Sequence, residues 1–534
     1  DHRDLHSFPT RRSSDLAPDA EKESYNEQFY LYLALTKASE QVILTYSVMT
    51  SKGESKRPSY LINRVKQVFP KLVVEKEEMD TSYEKIMGSD KGKSYLISHL
   101  ADGSYAKDVI WWEIASHYEK KTPGILKDLL RIREKRAGNN SLKKEAAKRL
   151  FGDVLYGSVT RFEQYVQCPF AFFSHYGLLL NERQQYEISS LDHGNLFHQA
   201  MEHLSHELEQ RNKNWQDLSE EEAVLLAAEC VDAVAERYQG RKYFQSNRVS
   251  FMLKRLKNEV VHSVWAMWHQ MQEGDFVQTY TEKGFRGSDK EWESMCIPFD
   301  EDAKICLNGV IDRVDLCSLP GEELIKIIDY KSSDSQDLSL AKVYYGLQMQ
   351  LLTYLEAAKE MVEKEHKGKE AVPAAMLYYA IKEKNLDWKP ESEEEYEKRV
   401  LDSMKCKGYV NEEPEIIGHL DKSIVNGGEL IPGQKSVVVP VAVDKKGLLK
   451  KNSETLSTKD FETLIAHTKE KMKECGKAIL DGKIEAIPYV YEDNDGCTYC
   501  PYGSVCGHES KKDGVREMKK MSDDEVWEAL YGDD

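Results

Sequence analysis

Two apolar runs, each broken by a carboxylate at a fixed place, restrict this chain more than any other feature. Residues Gly309-Val310-Ile311-Asp312-Arg313-Val314-Asp315 and Ile327-Ile328-Asp329-Tyr330-Lys331-Ser332 predict two neighbouring strands. Asp312 interrupts a run in which Val310, Ile311 and Val314 are apolar. Asp329 and Lys331 close a second run, Leu324 to Ile328, apolar but for Lys326. Residues i and i+2 of a strand point to one face, so Asp329 and Lys331 share one. A buried carboxylate is costly unless paired or held on a metal. Two carboxylates and a lysine meeting at strand ends suit metal-assisted phosphodiester hydrolysis: acidic oxygens for Mg²⁺, and a cation beside the attacking water. In a chain with 31% charged residues, an Asp-x-Lys tripeptide taken alone is more often an edge-strand ion pair. The surrounding residues therefore have to decide.

Composition narrows the setting. A chain of 534 residues should hold two to four domains. Its 74 basic and 92 acidic residues give a formal charge of −18, which disfavours a protein that coats DNA by general basicity but permits a local basic track. No apolar run approaches a membrane span, and no secretory signal is visible. Ten cysteines are too few for a disulfide scaffold, and their uneven placement predicts a reducing cytoplasm and a metal or cluster site. Residues 1–16, DHRDLHSFPTRRSSDL, lack a starting Met and any period, and read as a non-native, adaptor-like segment. The chain then opens in mid-domain, which predicts the C-terminal part of something longer.

Residues 24–50 predict a helix feeding a strand at Gln41 to Tyr46. The string Leu33-Ala34-Leu35-Thr36-Lys37-Ala38 resembles the last conserved motif of superfamily 1 helicases, with Lys37 where that motif carries arginine. Gly88-Ser89-Asp90-Lys91-Gly92-Lys93-Ser94 is one residue short of a phosphate loop and is read as a surface loop, leaving no visible ATP site. Lys127, Arg131, Arg133, Lys135, Arg136, Lys143, Lys144, Lys148 and Arg149 form the best candidate phosphate track, or equally a solvated helix face. Ser158 to Tyr165, SVTRFEQY, reads as a capped short helix running into Cys168-Pro169. An amphipathic helix over 190–209 carries the stripe Leu196, Phe197, Ala200, Met201, Leu204 and Leu208, with His198 beside it and Gly194 open to close approach. Helices over 219–240 and 248–273, strands at Val277 to Tyr280 and Glu291 to Pro298, a helix over 338–362 and a strand over 372–381 complete a mixed α/β core. In the helix over 338–362, Gln350 and Tyr354 share a face. Residues 409–455 read as a surface insertion with one strand at Val437 to Val443, 457–480 as a helix, and 516–534 as a charged helical tail.

Cys497-x₂-Cys500-x₅-Cys506 is a strong metal or cluster signal. Zinc could take these three with His508, while a [4Fe–4S] cluster needs a fourth thiolate, which Cys168 could supply. Spacing leaves both open. With Cys168 as a ligand, the two ends of the domain would be fastened together, and the cluster would act as a structural staple.

The series Cys168, His198, Gly309-x-Ile311-Asp312-Arg313, Ile328-Asp329-Tyr330-Lys331-Ser332, Gln350-x₃-Tyr354 and Cys497-x₂-Cys500-x₅-Cys506 resembles the C-terminal nuclease domain of the AddB (RexB-like) family. These are subunits of bacterial AddAB helicase–nucleases, with a RecB-like PD-(D/E)xK fold. The resemblance implies a mixed-sheet nuclease core over 151–515 with helical additions and a [4Fe–4S] staple, preceded over 17–150 by the end of a helicase-like α/β domain. It implies that His198, Asp312 and Asp329, with the Tyr330 carbonyl, hold Mg²⁺. Lys331 would orient the attacking water, and Gln350 and Tyr354 would position DNA. Cys168, Cys497, Cys500 and Cys506 would hold the cluster. The implied activity is Mg²⁺-dependent exonucleolytic degradation of single-stranded DNA, the 5′-ended strand, at double-strand breaks. The implied partner is the AddA helicase–nuclease. A free-standing Cas4-like nuclease and a non-catalytic DNA-end scaffold with a zinc site are the competing readings.

Overall fold

The runs around Asp312 and Asp329 become adjacent antiparallel strands inside a six-stranded mixed sheet. The computed structural model describes residues 20–48, 55–74, 89–102, 108–136, 141–181, 190–239, 247–286, 292–332, 337–381, 386, 389, 392–492, 494–508 and 514–532; the adaptor-like segment 1–16 lies outside these. The chain divides into two units, Asp1–Arg133 and Glu134–Asp534.

The first unit is helical: α1 (Ala20–Thr36), α2 (Tyr60–Val68), α3 (Ser89–Asp102), α4 (Val109–Lys121) and most of α5 (Ile125–Arg136). Leu96, Leu100, Trp111, Ala115 and Tyr118 form its small core. Asp108 caps α4 by accepting from the Ile110 and Trp111 N–H groups. Two expectations fail here. Gln41 to Tyr46 is not a strand, and Val42, Ile43 and Leu44 are exposed. A strand needs a neighbour for its ladder, and among the described residues none pairs with it. Ser89 to Ser94 is not a loop but the start of α3, because burial of Leu96 and Leu100 against Trp111 outweighs the local glycine and charge. Gly88 lies outside the described residues.

The second unit runs α6 (Lys144–Phe151), β1 (Val154–Gly157), α7 (Val159–Gln167), α8 (Pro169–Phe172), α9 (Ser190–Gln210), α10 (Glu220–Gln239), α11 (Asn247–Gln272), β2 (Val277–Gly284), β3 (Met295–Pro298), β4 (Lys304–Leu307), β5 (Val310–Ser318) and β6 (Glu322–Lys331). Next come α12 (Leu340–Tyr344), α13 (Gln350–Glu365), β7 (Glu370–Ala380), α14 (Glu393–Ser403), β8 (Lys407–Asn411), α15 (Pro414–Leu420), β9 (Val425–Asn426), β10 (Glu429–Leu430), β11 (Thr455–Leu456) and α16 (Thr458–Leu480). β12 (Tyr489–Tyr491), β13 (Asn494–Asp495), α17 (Gly503–Cys506), β14 (Arg516–Glu517) and α18 (Asp523–Tyr531) close it.

The main sheet has the order β11-β8-β7-β6-β5-β2. β2, β5 and β6 are antiparallel neighbours, and β7 lies parallel to β6 after the α12–α13 crossover. Both faces are covered, which explains the near-continuous apolar runs. Val314, Ile327 and Met376 face α13 and α16 (Leu351, Leu355, Phe461, Leu464), while Ile328 and Leu377 face α9 and α11 (Phe197, Met201, Val260, Val264). The alternation Ile327/Ile328 and Met376/Leu377 is the two-residue strand period made visible.

The helix expected over 338–362 is two helices, turned at Gly346 (φ +80°). Residues 409–455 are not a surface appendage: Val410 and Asn411 lie in β8 of the main sheet, and Val438, Val439 and Val441 are core residues. Val437 to Val443 is irregular rather than a strand. Buried Ser436 donates to Asp421 (2.6 Å) and accepts the Val438 and Val439 N–H groups (3.0 and 2.9 Å). Turn chemistry, not exposure, makes this stretch polar. Cys296 and Cys306, opposite one another on β3 and β4, form a disulfide, a pairing the cysteine count did not anticipate. Among the described residues, no helix is long and apolar enough to cross a membrane.

Candidate active site

Gly309 admits the site. A Cβ there would meet the Phe285 ring at 2.8 Å and Tyr354 at 3.3 Å, so the bare backbone lets the end of β2 and α13 close over the start of β5. Phe285 packs edge-on to Tyr354 at 5.9 Å.

Asp312 on β5 is 7% exposed, and its Oδ2 accepts the Tyr330 N–H at 2.7 Å. Its Oδ1 lies 3.6 Å from His198 Nδ1. α9 delivers His198: its apolar stripe packs into the core, with Phe197 edge-on to Tyr330, and leaves the imidazole at the sheet end. His198 Nδ1 is 2.8 Å from Oε1 of Glu282 on edge strand β2. Glu282 has φ +45°, a rare backbone conformation for a residue with a side chain, just past a register shift at Gln278/Tyr280. His198, Glu282 and Asp312 offer ligand atoms within 4.8 Å of one another, the one such group found among the described residues.

Asp329, 2% exposed, meets Lys331 Nζ at 2.5 Å and accepts Gln350 Nε2 at 3.1 Å. Lys331 Nζ donates to Gln350 Oε1 at 2.9 Å, and Gln350 Nε2 also donates to Tyr354 Oη at 3.0 Å. The Lys331 ammonium sits 5.4 Å over the Tyr378 ring. Lys331, Asp329 and Gln350 thus close a triangle beside the His198–Glu282–Asp312 group. Of the expected ligand set, His198 and Asp312 come together, Asp329 is turned to Lys331 and Gln350, and Tyr330 contributes an N–H that steadies Asp312. Glu282 was missed. Its strand was read as ending at Tyr280, and nothing local separates it from the other 91 of the 92 acidic residues. Gly194, expected to allow close approach, would meet only Ser332 at 3.9 Å, an ordinary contact.

The electrostatics show what the group lacks. Burial, then the charge of Asp329, pushes Asp312 well above the usual carboxylate range, and His198 only partly offsets this. Burial raises Asp329 too, against the pull of Lys331. For His198, burial favours the neutral ring, but the hydrogen bond to Glu282 and the charge of Asp312 carry its pKa up to about 9. Clustered acids that retain protons this strongly are short of positive charge, and a divalent cation fits that deficit.

A second centre gathers four thiols. Cys168 ends α7, and Pro169 opens α8. Asp495 accepts the Cys497 and Thr498 N–H groups at 2.9 and 2.6 Å. Tyr502 Oη donates to the Leu180 carbonyl at 3.1 Å and lies 2.8 Å from His175 Nδ1, while Arg516 donates to the Val166 and Gln167 carbonyls. These bonds bring the 497–506 segment to Cys168. None of the four cysteines is in a disulfide. Burial, then Asp495 and the other three thiols, pushes Cys497 up to about 11. Cys497 feels the charge of Cys168, Cys500 and Cys506, so the four thiols face one another. In the basic stretch, Lys144 and Lys148 are paired with Asp481 and Asp153 at 3.1 Å each.

Residues 157–507 match the family described as the PD-(D/E)XK nuclease superfamily. The chain is similar to curated proteins that are each named as the B subunit of an ATP-dependent helicase/deoxyribonuclease. It is 34% identical over 529 residues to that of Lachnoclostridium phytofermentans, covering 97% of this chain and 44% of the relative. It is 32% identical over 537 residues to that of Clostridium perfringens strain 13, covering 96% and 45%. With Clostridioides difficile strain 630 the identity is 29% over 541 residues, covering 96% and 45%. The chain spans less than half the length of these relatives.

Proposed function

This chain belongs to the PD-(D/E)XK nuclease superfamily, and from that premise we propose that it is the metal-dependent deoxyribonuclease part of a helicase–nuclease B subunit. The observation that carries the reading is the meeting of His198, Glu282 and Asp312 beside the Asp329–Lys331–Gln350 triangle at one end of the sheet. His198 and Asp312 would hold Mg²⁺ with Glu282, completed by Asp329 and the Tyr330 carbonyl. A cation bound there would polarise the scissile phosphate and ease deprotonation of the attacking water. Lys331, aimed by Asp329 and Gln350, orients that water and offsets charge building on the phosphate. Gln350 and Tyr354 position the strand.

Cys168, Cys497, Cys500 and Cys506 would hold a [4Fe–4S] cluster as a staple across the domain; the approach of Cys168 to the 497–506 segment as a fourth thiol supports this. Residues 17–150 would be the remnant of a helicase-like domain. The relatives are named as one subunit of an assembly, which supports a partner, the AddA helicase–nuclease, and counts against a free-standing nuclease. The substrate would be single-stranded DNA, the 5′-ended strand at a double-strand break, processed in the cytoplasm for recombinational repair. Asp329→Ala and Lys331→Ala should each abolish cleavage of a single-stranded oligonucleotide with Mg²⁺ while leaving the circular-dichroism spectrum and iron content unchanged. Cleavage retained by both variants would overturn the reading.

A further inference from the structure

We propose that Glu163 is a positioning residue of the nuclease centre: from α7 it holds the first turn of α13, and through Gln350 it keeps Lys331 against Asp329. This deepens the nuclease reading and rests on it.

The first N–H groups of a helix have no partner within it. Met349, which precedes α13, supplies no side-chain cap. Glu163 supplies one from another helix: its Oε1 accepts the Met349 N–H at 2.6 Å, and it also accepts the Gln350 N–H. A carboxylate is also the favoured charge at a helix N-terminus. The residue fixed in this way is Gln350, whose amide oxygen accepts from Lys331 and whose amide nitrogen donates to both Asp329 and Tyr354. A side chain that must satisfy three partners tolerates little drift of its backbone, so losing the Glu163 bonds should loosen the triangle without removing any member of it. α7 is itself well seated to act as an anchor, with Val159, Phe162, Tyr165 and Val166 buried in the main core. Burial raises the Glu163 carboxyl to about 7 against the pull of Met349 and Lys331, as expected of a group held deep in the fold. No other role in the chemistry uses this carboxylate.

The test measures kcat and KM of the full chain on a single-stranded oligonucleotide with Mg²⁺. Glu163→Ala should lower kcat about tenfold or more with KM within about twofold, the signature of a group that acts on the transition state rather than on binding. Glu163→Gln, whose Oε1 can still accept the Met349 N–H, should restore most of the rate. Glu163→Asp keeps the charge but withdraws the acceptor by one methylene, so it should be impaired like Glu163→Ala; it decides the matter if Glu163→Ala melts early. In a Gln350→Ala background, Glu163→Ala should cost less than about twofold more. Parental kcat in Glu163→Ala or Glu163→Asp, equal losses in Glu163→Ala and Glu163→Gln, or an undiminished loss in the Gln350→Ala background would each overturn the proposal. Lys331→Ala and Asp329→Ala run alongside separate the two failures. If both still cleave, the nuclease reading has failed; if they are inactive while Glu163→Ala is normal, only the positioning role has.

Discussion

The carboxylate centre and the thiol centre are assembled from different kinds of structure. Asp312 and Asp329 sit on neighbouring central strands, Glu282 on the edge strand beside them, and His198 and Gln350 on helices packed over the sheet. The sheet holds these groups together although burying them is unfavourable: burial raises both Asp312 and Asp329, and the charge of Asp329 raises Asp312 further. The thiol centre has no such frame. Cys168 ends one helix, while Cys497, Cys500 and Cys506 lie on turns and one four-residue helix, partly open to solvent and held by a few side-chain bonds to backbone carbonyls. A centre framed by a sheet stands without its metal and loses only chemistry when it is broken. A centre that fastens two distant segments is part of what keeps them together.

The sharpest test of this contrast is Asp312→Asn. It removes a carboxyl that is costly to bury while keeping an oxygen for the Tyr330 N–H, so kcat should fall by on the order of a thousandfold, about 4 kcal/mol of barrier, while the melting temperature stays level or rises. A variant that melts early would mean that the carboxylate is structural and the contrast is wrong. Cys168→Ala should do the reverse and act first on stability. A bond between Cys168 and the 497–506 segment closes a very long loop, and loosening it should cost about 3–5 kcal/mol, read as a lower melting midpoint together with lost iron and visible absorbance. Full iron content in the variant would remove Cys168 from the centre. Glu282→Gln comes next: with its imidazole partner and a candidate ligand altered, apparent Mg²⁺ affinity should drop about 10–100-fold, measured from the Mg²⁺ dependence of the rate.

The same contrast explains what the sequence revealed and what it hid. β5 and β6 were legible because a strand buried on both faces must be apolar almost throughout, so Asp312, Asp329 and Lys331 stood out against their neighbours. α9 showed its stripe, and with it His198. Glu282 stayed hidden because its role depends on a positive φ and on which strand lies alongside, and neither is a property of the local residues. Glu163 was hidden for the same reason: the helix that carries it was visible, but the helix it caps lies far along the chain. Residues 437–443 misled because buried turns satisfied by Asp421 and Ser436 have the composition of exposed ones. Gln41 to Tyr46 misled in the opposite direction, having strand composition but, among the described residues, no strand to pair with.

A last and smaller effect separates the centres by pH. His198 has a folded value of about 9, against an unperturbed value near 6.5. The folded protein therefore binds this proton more tightly than the unfolded chain. The stability it lends the metal-free protein is fully present below about pH 6.5 and is lost as pH rises through 9. A metal takes the imidazole neutral, so below pH 9 binding must expel that proton, and affinity should climb about tenfold per unit toward that value. The raised Asp312 carboxyl adds to the slope in the same direction. The rise in melting temperature produced by a fixed Mg²⁺ concentration should therefore be larger at pH 9 than at pH 7, and His198→Ala should flatten the difference. A pH dependence of the Mg²⁺ shift that is undiminished in His198→Ala would mean that the imidazole lies outside the cation's reach, leaving Glu282 and Asp312 as an acidic pair without a nitrogen ligand.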